Sequence, residues 1–578
     1  MKSYRVRARL HDELLQDLLL SRGIAGTEAQ AQFLSPDFAR DSHDPFLLPD
    51  MGVAVERILA AVKNNEPVAV WSDYDADGIP GGVILAQFLR ELGLSVRHYI
   101  PHRHDEGYGL NREGLDELAG QKISLVITVD LGTTEHENIV YAATKGIDVI
   151  VTDHHLVAPG EGSSQKVLGS ASPQPDHFVQ NLPLALAVIN PKRLDSKYPF
   201  DGLCGAGVAW KLIQAILFKN RPDGFAEGRE KWMLDLVGIA TLSDMVPLVG
   251  ENRMLARSGL RVIKSAGWRA HRPGLSALLQ LLRINPQTLT EDDIGFMISP
   301  RINAASRMDS PELAARLLAT TNSEEAPALA RTLNALNDER KGLVAATVKE
   351  ANKRLAGMDL TKSPLIVMGN PAWRPGILGL VANNLVETHG KPVFLWGREG
   401  GEVLRGSCRS DGVMNIVELM SAAGDVFDHF GGHYASGGFS VAEEKIHELS
   451  NRLTSAFAEV ASNIAALPEL VLDREVALAE VPHAQRDLMQ LAPFGVGNEK
   501  PLFMFPGVSI GSIRTFGKQR NHLEFSFERN AARTSGIAFF ATPESFQKSA
   551  TVGERADVVG HIELDWRGAP RIRVVDII

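Results

Sequence analysis

Short apolar runs, each closed by an acidic residue, recur through the first third of the chain. Pro67–Trp71 runs into Ser72-Asp73, Leu125–Val129 into Asp130, and Asp148–Thr152 into Asp153-His154-His155. Between them lie segments of helical character, Val83–Leu92 and Glu135–Lys145. Strand, acidic tip and helix in repetition predict a doubly wound parallel sheet, an α/β architecture whose ligands sit beyond the carboxyl ends of the strands. Leu186–Asn190 reads as a further strand, after a Gly-, Ser- and Pro-rich insertion at 157–185. Residues 200–320 read as mostly helical. Glu325–Leu355 carries leucines and valines at helical spacing and predicts one long helix, either a connector between lobes or an ordinary amphipathic surface helix. A second α/β region begins at Pro364–Met368. From about Leu467 the pattern alternates, as in His522–Phe527 and Arg571–Val575, which predicts a β-rich unit, with a small barrel as one form. The first 50 residues read as small helices and a loop.

Composition narrows this little. With 578 residues the chain is too long for one core, and its 44% hydrophobic and 22% charged residues are those of a globular protein. No apolar run reaches 18 residues, and the first residues lack the apolar stretch of a secretory signal, so neither a membrane span nor export is expected. Two cysteines, Cys204 and Cys408, are too few for a disulfide framework and fit a reducing, cytoplasmic setting. The net charge of −10 does not advertise nucleic acid, but a local basic groove suffices for one. Residues 508–578 hold ten Lys/Arg and eight Asp/Glu, a local balance of +2. There Lys518, Arg520 and His522 interleave with Phe516 and Phe525, the composition of a single-strand grip or of plain barrel alternation.

The candidate chemistry lies at the strand tips. Asp73-Tyr74-Asp75-Ala76-Asp77-Gly78 sets three carboxylates at alternate positions, where they repel one another unless a divalent cation intervenes. A solvated acidic turn or a calcium loop reads the same locally, although the twelfth loop position is Ile84 where a calcium loop needs Glu. Asp130, Asp153, His154, His155 and Asp244 also end apolar runs. Six aspartates and two histidines at such positions favour two metals about 4 Å apart, the arrangement that supports in-line attack on phosphorus.

These residues resemble the DHH phosphoesterase superfamily and, within it, the RecJ family of single-strand-specific exonucleases. DYDADG, the TVD ending at Asp130, VTDHH and SDMVPL resemble its signatures in order. So do Arg103 ahead of Glu106–Leu110, Leu203–Val208, Gly250–Arg253, Pro300–Ala304, Trp373–Gly376, Gly406–Ser410, Phe430–His433 and Pro493–Asn498. The resemblance covers nearly the whole chain. It implies a helical segment at 1–50, a DHH catalytic domain at 51–322, a connecting helix at 323–358, a DHH-associated domain at 359–462 and an OB-fold nucleic-acid-binding barrel at 463–578. It implies two Mn²⁺ or Mg²⁺ ions, one bound by Asp75, the other by Asp77, with Asp130 bridging and His154 and Asp244 completing the shell. His155 would touch metal or phosphate, and Asp73 and Asp153 would be direct or orienting ligands. Arg103, Ser407 and Arg409 resemble residues that hold a 5′-terminal phosphate, Arg301 and Asn303 contacts to the backbone, and Gly431, Gly432 and His433 a close approach to it. The activity implied is 5′→3′ hydrolysis of single-stranded DNA to mononucleotides in recombination and repair, with single-strand-binding protein and a RecQ-type helicase as candidate partners. A phosphodiesterase for short oligonucleotides and a non-catalytic single-strand scaffold are the alternatives, and a manganese pyrophosphatase the weakest one.

Four features depart from the family pattern. Pro80 replaces a small hydroxyl residue, Leu131 an asparagine and Ser306 a glycine, and the 157–185 insertion is long. Pro80 removes a backbone donor at a helix start, and Leu131 an expected hydrogen bond beside Asp130.

Overall fold

The structure, a computed structural model, describes residues 3–103, 106–157, 180–360, 363–398, 403–460, 469–517 and 520–578. The chain opens with β1 (Tyr4–Val6) and α1 (Leu14–Ser21). A five-stranded, wholly parallel sheet follows, built from β2 (Val68–Ser72), β3 (Val96–Tyr99), β4 (Leu125–Val129), β5 (Asp148–Thr152) and β6 (Ala187–Ile189) in the order β3-β2-β4-β5-β6. β2 and β4 are buried along their whole length, so they read as continuous apolar runs. Helices α2 (Gly78–Glu91) and α3 (Gly205–Lys219) cover one face, with α4 (Leu234–Ser243), α5 (Gly250–Ile263) and α6 (Ser299–Met308) beyond them. A separate apolar layer containing Trp71, Leu115, Ile139 and Val151 closes the other face. The sheet is thus doubly wound, as the pattern predicts. β3 escapes that pattern because Val96-Arg97-His98-Tyr99 is too short and too polar to stand out.

The long helix is present as α7 (Ala326–Leu355), thirty residues whose first half packs in the first core and whose second half packs in another. That second lobe is a mixed sheet of β7 (Ile366–Gly369), β8 (Val393–Gly397), β9 (Leu404–Arg409), β10 (His429–His433) and β11 (Ser436–Val441), ordered β10-β11-β9-β8-β7, with α8 (Pro375–His389) against it. The chain then runs through β12 (Leu470–Leu472) and β13 (Arg474–Glu475). β14 (Phe503–Phe516), β15 (His522–Arg529), β16 (Ala532–Phe539), β18 (Pro570–Ile577) and β17 (Arg555–Leu564) follow round a five-stranded barrel, closed by pairing of β14 with β17. Closure removes free edges.

The N-terminal segment departs from expectation. It is not a separate helical piece: β1 pairs in parallel with β12, and Leu18 and Leu19 of α1 are fully buried in the barrel's core. Local pattern could not reveal this, because the partners lie some 460 residues away. Among the described residues no helix is long and apolar enough to cross a membrane.

Three of the sequence departures find their place. Pro80 sits in the first turn of α2, where no intrahelical N–H bond is due. Leu131 is fully buried in the layer with Trp71 and Val151, and its carbonyl accepts from Thr128 Oγ1 at 2.7 Å. Ser306 is buried, its hydroxyl donating to Asn303 O. Positions 158–179 of the insertion lie outside the described residues.

Candidate metal centre and interlobe cleft

The tips of β2, β4 and β5 bring the acidic motifs together, and helix ends hold their charge. Asp75 Oδ1 accepts from the N–H groups of Asp77 (2.8 Å) and Gly78 (2.9 Å) at the start of α2. The Asp77 carboxylate accepts from Gly205 N (2.6 Å) and Ala206 N (2.8 Å) at the start of α3. Both helix N-termini thereby face carboxylates with their positive ends. Gly205 is required: a Cβ there would lie 2.5 Å from Asp130 Cβ. Asp130 takes a left-handed conformation, φ 65°, which re-aims its side chain at the strand tip.

His154 Nε2 lies 3.1 Å from Asp130 Oδ1, 3.6 Å from Asp244 Oδ2 and 3.8 Å from Asp77 Oδ2. Asp153 plays a different part. It accepts from the N–H groups of Thr133 (2.9 Å), His154 (2.7 Å) and His155 (3.2 Å) and contacts His155 Nδ1 at 2.7 Å. Buried Asn190 braces this turn, donating to Thr133 Oγ1 and to His155 O. The arrangement makes Asp153 an orienting group.

Three ligand sets arise: Asp130, His154 and His155; Asp77, His154 and Asp244; and Asp73, Asp75 and Asp130. Burial, reinforced by neighbouring carboxylates, drives Asp73 and Asp130 well above the ordinary range, Asp77 up to about 7 and Asp244 up to about 9. Burial and the adjacent His155 lower His154 to about 3, so its imidazole is neutral and able to ligate. Burial also opposes charge on His155, but the Asp153 hydrogen bond and the charges of Asp153, Asp244 and Asp73 outweigh it and push His155 up to about 9. Asp73 Oδ1 and Asp130 Oδ1 are buried without a hydrogen-bond donor. Oxygens that the chain leaves unsatisfied, in a cluster that cannot ionise fully on its own, fit divalent cations. The oxygen-rich set with one or two imidazoles suits Mn²⁺ and accommodates Mg²⁺.

Beside this centre a cleft of about 640 Å³ separates the two lobes, lined by Tyr74, Arg103 and Tyr108 on one side and by Gly376, Ser407 and Gly431 on the other. The Arg103 guanidinium stacks 4.8 Å over the Tyr74 ring, and Tyr108 stands edge-on between Tyr74 and His155, at 6.3 and 6.5 Å. Ser407 and Arg409 lie on β9, where Gly379 of α8 leaves room for the Arg409 side chain. Gly432 and His433 follow Gly431 on exposed edge strand β10. Sequence reasoning missed Tyr74 and Tyr108 of the cleft lining and, where the two lobes meet, Arg307. Its Nη1 donates to Gly376 O at 2.7 Å across the lobes, and burial together with Arg103, Arg340 and Arg409 lowers it to about 9. The i,i+4 spacing of Asn303 and Arg307 was the available signal.

Other candidate residues are placed elsewhere. Arg301 is buried, with Nε on Asn334 Oδ1 (2.9 Å) and Nη1 on Met297 O (2.6 Å), tying α6 to α7. Asn303 is half-buried, its Oδ1 without a partner. Arg520 is exposed in the turn between β14 and β15, and Lys518 lies outside the described residues. Phe525 is not a surface platform: it is buried in the barrel core, stacked on Phe527 at 5.3 Å. His522 instead gathers Phe516, Phe539 and Phe540 at 4.8–5.6 Å, with Phe540 81% exposed.

Comparison with known proteins agrees with this geometry. Residues 67–241 match the DHH family N-terminal domain, 362–459 the DHHA1 domain and 472–575 the RecJ OB domain. A Bacillus subtilis protein named single-stranded-DNA-specific exonuclease RecJ is 31% identical over 97% of this chain and 67% of its own length. The crystal structure of RecJ in complex with Mn²⁺ from Thermus thermophilus matches all of this chain and 79% of its own, with 27% identity and a TM-score of 0.77. Its counterpart in complex with Mg²⁺ matches all of this chain and 78% of its own, with 25% identity and a TM-score of 0.72. With its catalytic lobe, second lobe and closed barrel in that order, the chain belongs to the RecJ family of single-stranded-DNA-specific exonucleases.

Proposed function

We propose that this protein is a metal-dependent exonuclease that degrades single-stranded DNA from its 5′ end to 5′-mononucleotides, in recombination and repair. The observation that carries the reading is the buried carboxylate–imidazole cluster opening beside a guanidinium-lined cleft. Asp75, Asp77, Asp130, His154 and Asp244 would hold two Mn²⁺ or Mg²⁺ ions, with Asp73 and His155 as further ligands or phosphate contacts. When bound, such a pair supplies positive charge for the phosphodiester and activates water, so no side-chain nucleophile is needed. Asp153 fixes His155 by its Nδ1, leaving Nε2 as the nitrogen available to metal or substrate. Arg103 and Arg409 would seat the terminal phosphate through their planar, multi-donor guanidiniums, and Ser407 through its single hydroxyl donor. The Tyr74 and Tyr108 rings then flank the first nucleotide. Arg301 acts in this reading through the packing of α6 on α7. The glycines and His433 of β10 let the backbone pass, and the barrel's Lys518, Arg520 and aromatic cluster hold the strand farther along.

The division into a catalytic lobe at 51–322, a connecting helix at 323–358, a second lobe at 359–462 and a barrel at 463–578 belongs to this reading, with β1 and α1 joined to the barrel and the stretch from Phe38 to Leu48 packed on the catalytic lobe. Cytoplasmic location and cooperation with single-strand-binding protein and a RecQ-type helicase belong to it as well. The test uses Mn²⁺ and strands of about 40 nucleotides, well beyond one barrel's footprint, labelled at either end, with blunt duplex and Asp130→Asn alongside. Immediate release of 5′-labelled mononucleotide, a 3′-labelled strand that shortens gradually, spared duplex and a dead variant are expected. Binding without cleavage favours a scaffold, and cleavage of dinucleotides alone favours a short-substrate phosphodiesterase. Either outcome overturns the proposal.

A further inference from the structure

Arg103 follows β3, and the acidic motifs follow β2, β4 and β5. The turn after β6, at the far edge of the same sheet, has no part in the function above. It reads Asn190-Pro191-Lys192-Arg193. Hydrogen bonds fasten it to the metal centre. Asp153 N donates to Ile189 O at 3.1 Å, and buried Asn190 donates to His155 O at 2.9 Å and to Thr133 Oγ1 at 3.0 Å. The Oδ1 of the same Asn190 accepts from Lys192 N at 2.9 Å. One side-chain amide therefore lies between the backbone of Lys192 and that of His155. Neighbouring strands are about 4.8 Å apart, a gap that the flexible four-carbon lysine stem can cross.

The two cations of this turn differ. Arg193 is tied down, with Nη1 on Asp50 Oδ2 (2.5 Å) and Val188 O (2.6 Å) and with Nε and Nη2 on Asp195. Lys192 is partly exposed, and among the described residues its ammonium has no salt-bridge partner. Its charge bears on His154 and on Asp244, after burial and nearer groups. A free ammonium thus stands beside the Asp77–His154–Asp244 set, at the opposite end of the row of strand tips from Arg103. A cation there repels the ions that the carboxylates attract, and charge balance gives it a use. Loaded with two divalent ions, the cluster sets four positive charges against the five carboxylates Asp73, Asp75, Asp77, Asp130 and Asp244. That leaves no net positive charge for an anionic phosphodiester, least of all as more negative charge builds on it during attack.

We propose that Lys192 is a catalytic residue whose ammonium contacts a non-bridging oxygen of the phosphodiester being cut and offsets the charge that develops there. The inference rests on the exonuclease reading and adds a group to its chemical step. Lys192 transfers no proton in this role. Asn190 fixes the backbone from which it reaches, as it fixes the turn of His155.

The test pairs kinetics with metal binding, because the two should move in opposite directions. Lys192→Met keeps the stem and the backbone N–H that Asn190 accepts, and it removes only the charge. On a 5′-phosphorylated single strand its kcat should fall roughly 10–100-fold, the worth of one charge-assisted contact, with KM nearly level. Calorimetry without DNA should show Mn²⁺ bound at least about threefold more tightly, since a repelling cation is gone. Lys192→Arg should retain much of the rate. Lys192→Ala should regain part of it from added ethylammonium, but not from sodium at equal ionic strength. The rescue uses a separately truncated side chain, so it decides the matter even if Lys192→Met fails to fold. An unaltered kcat overturns the proposal. So does a fall in kcat with weaker Mn²⁺ binding and no rescue, which marks a disturbed ligand set. A rise in KM alone also overturns it, by placing Lys192 on the strand away from the reacting phosphate. A wild type that cleaves no strand overturns the exonuclease reading itself, and this inference with it.

Discussion

Asp73, Asp75, Asp77, Asp130 and Asp244 converge within one lobe, each at the end of a strand or helix of a single sheet system. Arg103, Arg307, Arg340 and Arg409 converge from four distant stretches carried by two lobes and the helix between them. The acidic centre is stabilised before any ligand arrives, by helix N-termini under Asp75 and Asp77 and by the Asn190–Thr133–Asp153 brace. In the basic cleft, burial and the charges of Arg103, Arg340 and Arg409 work against the charge of Arg307. One half is built to hold cations permanently, and the other to hold an anion that comes and goes.

The sharpest way to break this contrast is Asp130→Asn. Asparagine tolerates the left-handed backbone at this position, so the fold should persist. Activity should fall by at least a hundredfold, since even groups that only orient ligands are worth 10–100-fold, about the least a ligand can be worth. The metal-free variant should melt higher than the wild type, because one member of a repelling, buried set becomes neutral. Mn²⁺ titration by calorimetry and thermal melting in EDTA check both, and a lower melting temperature would contradict the repulsion.

Arg409→Met probes the other half. Losing charge-assisted bonds to a phosphate, about 1.5–3 kcal/mol, should weaken 5′-phosphorylated strands roughly 10–100-fold. Strands with a 5′-hydroxyl should be affected much less, and Mn²⁺ affinity should be unaltered. Equal losses for both ends would mean that Arg409 does not read the terminal phosphate.

pH separates the halves without mutation. Asp77 at about 7 and Asp244 at about 9 stand above the usual 3.8, and His155 at about 9 above the usual 6.5. The metal-free folded chain therefore binds more protons than the unfolded chain between pH 6.5 and 9, and its stability falls as pH rises through that window. His154, lowered to about 3, acts in the opposite direction, but only below 6.5. Melting in EDTA should drop steadily from pH 6.5 to 9, and Mn²⁺ should flatten the curve. A flat curve in EDTA would mean that the cluster is not charge-frustrated.

The smallest effect belongs to the barrel. Phe540→Ser removes an exposed ring from the His522 cluster, and one lost base stack is worth about 1–3 kcal/mol of strand affinity. Fluorescence titration should record a weaker long strand and an unaffected dinucleotide. An unaltered long strand would remove this cluster from the DNA path.

The acidic half was legible in the sequence for a physical reason. Buried parallel strands must be apolar from end to end, so a carboxylate directly after Trp71-Ser72, Val129 or Thr152 announces a strand tip facing a site. The basic half was legible only in pieces. Arg103, Ser407 and Arg409 stood out by family resemblance, while Arg307 and Arg340 sit in ordinary amphipathic helices where an arginine looks like a solvated face. Arg301 shows the converse, since a conspicuous motif residue is spent on helix packing. Phe525 and Phe540 exchange roles for a similar reason. Alternation marks one face of a strand but does not say which face points into a closed barrel.

By itself the sequence determined the parallel sheet, the acidic tips, the long helix and the order of lobes, because each is written in short-range periodicity and in residues adjacent along the chain. The tertiary structure alone decided what met across the chain. It put β1 beside β12 and closed β14 onto β17, brought Asp244 to His154, and gathered guanidiniums from both lobes into one cleft. Such meetings depend on packing between elements far apart in sequence, and no local pattern of hydrophobic and polar positions encodes the distance between them.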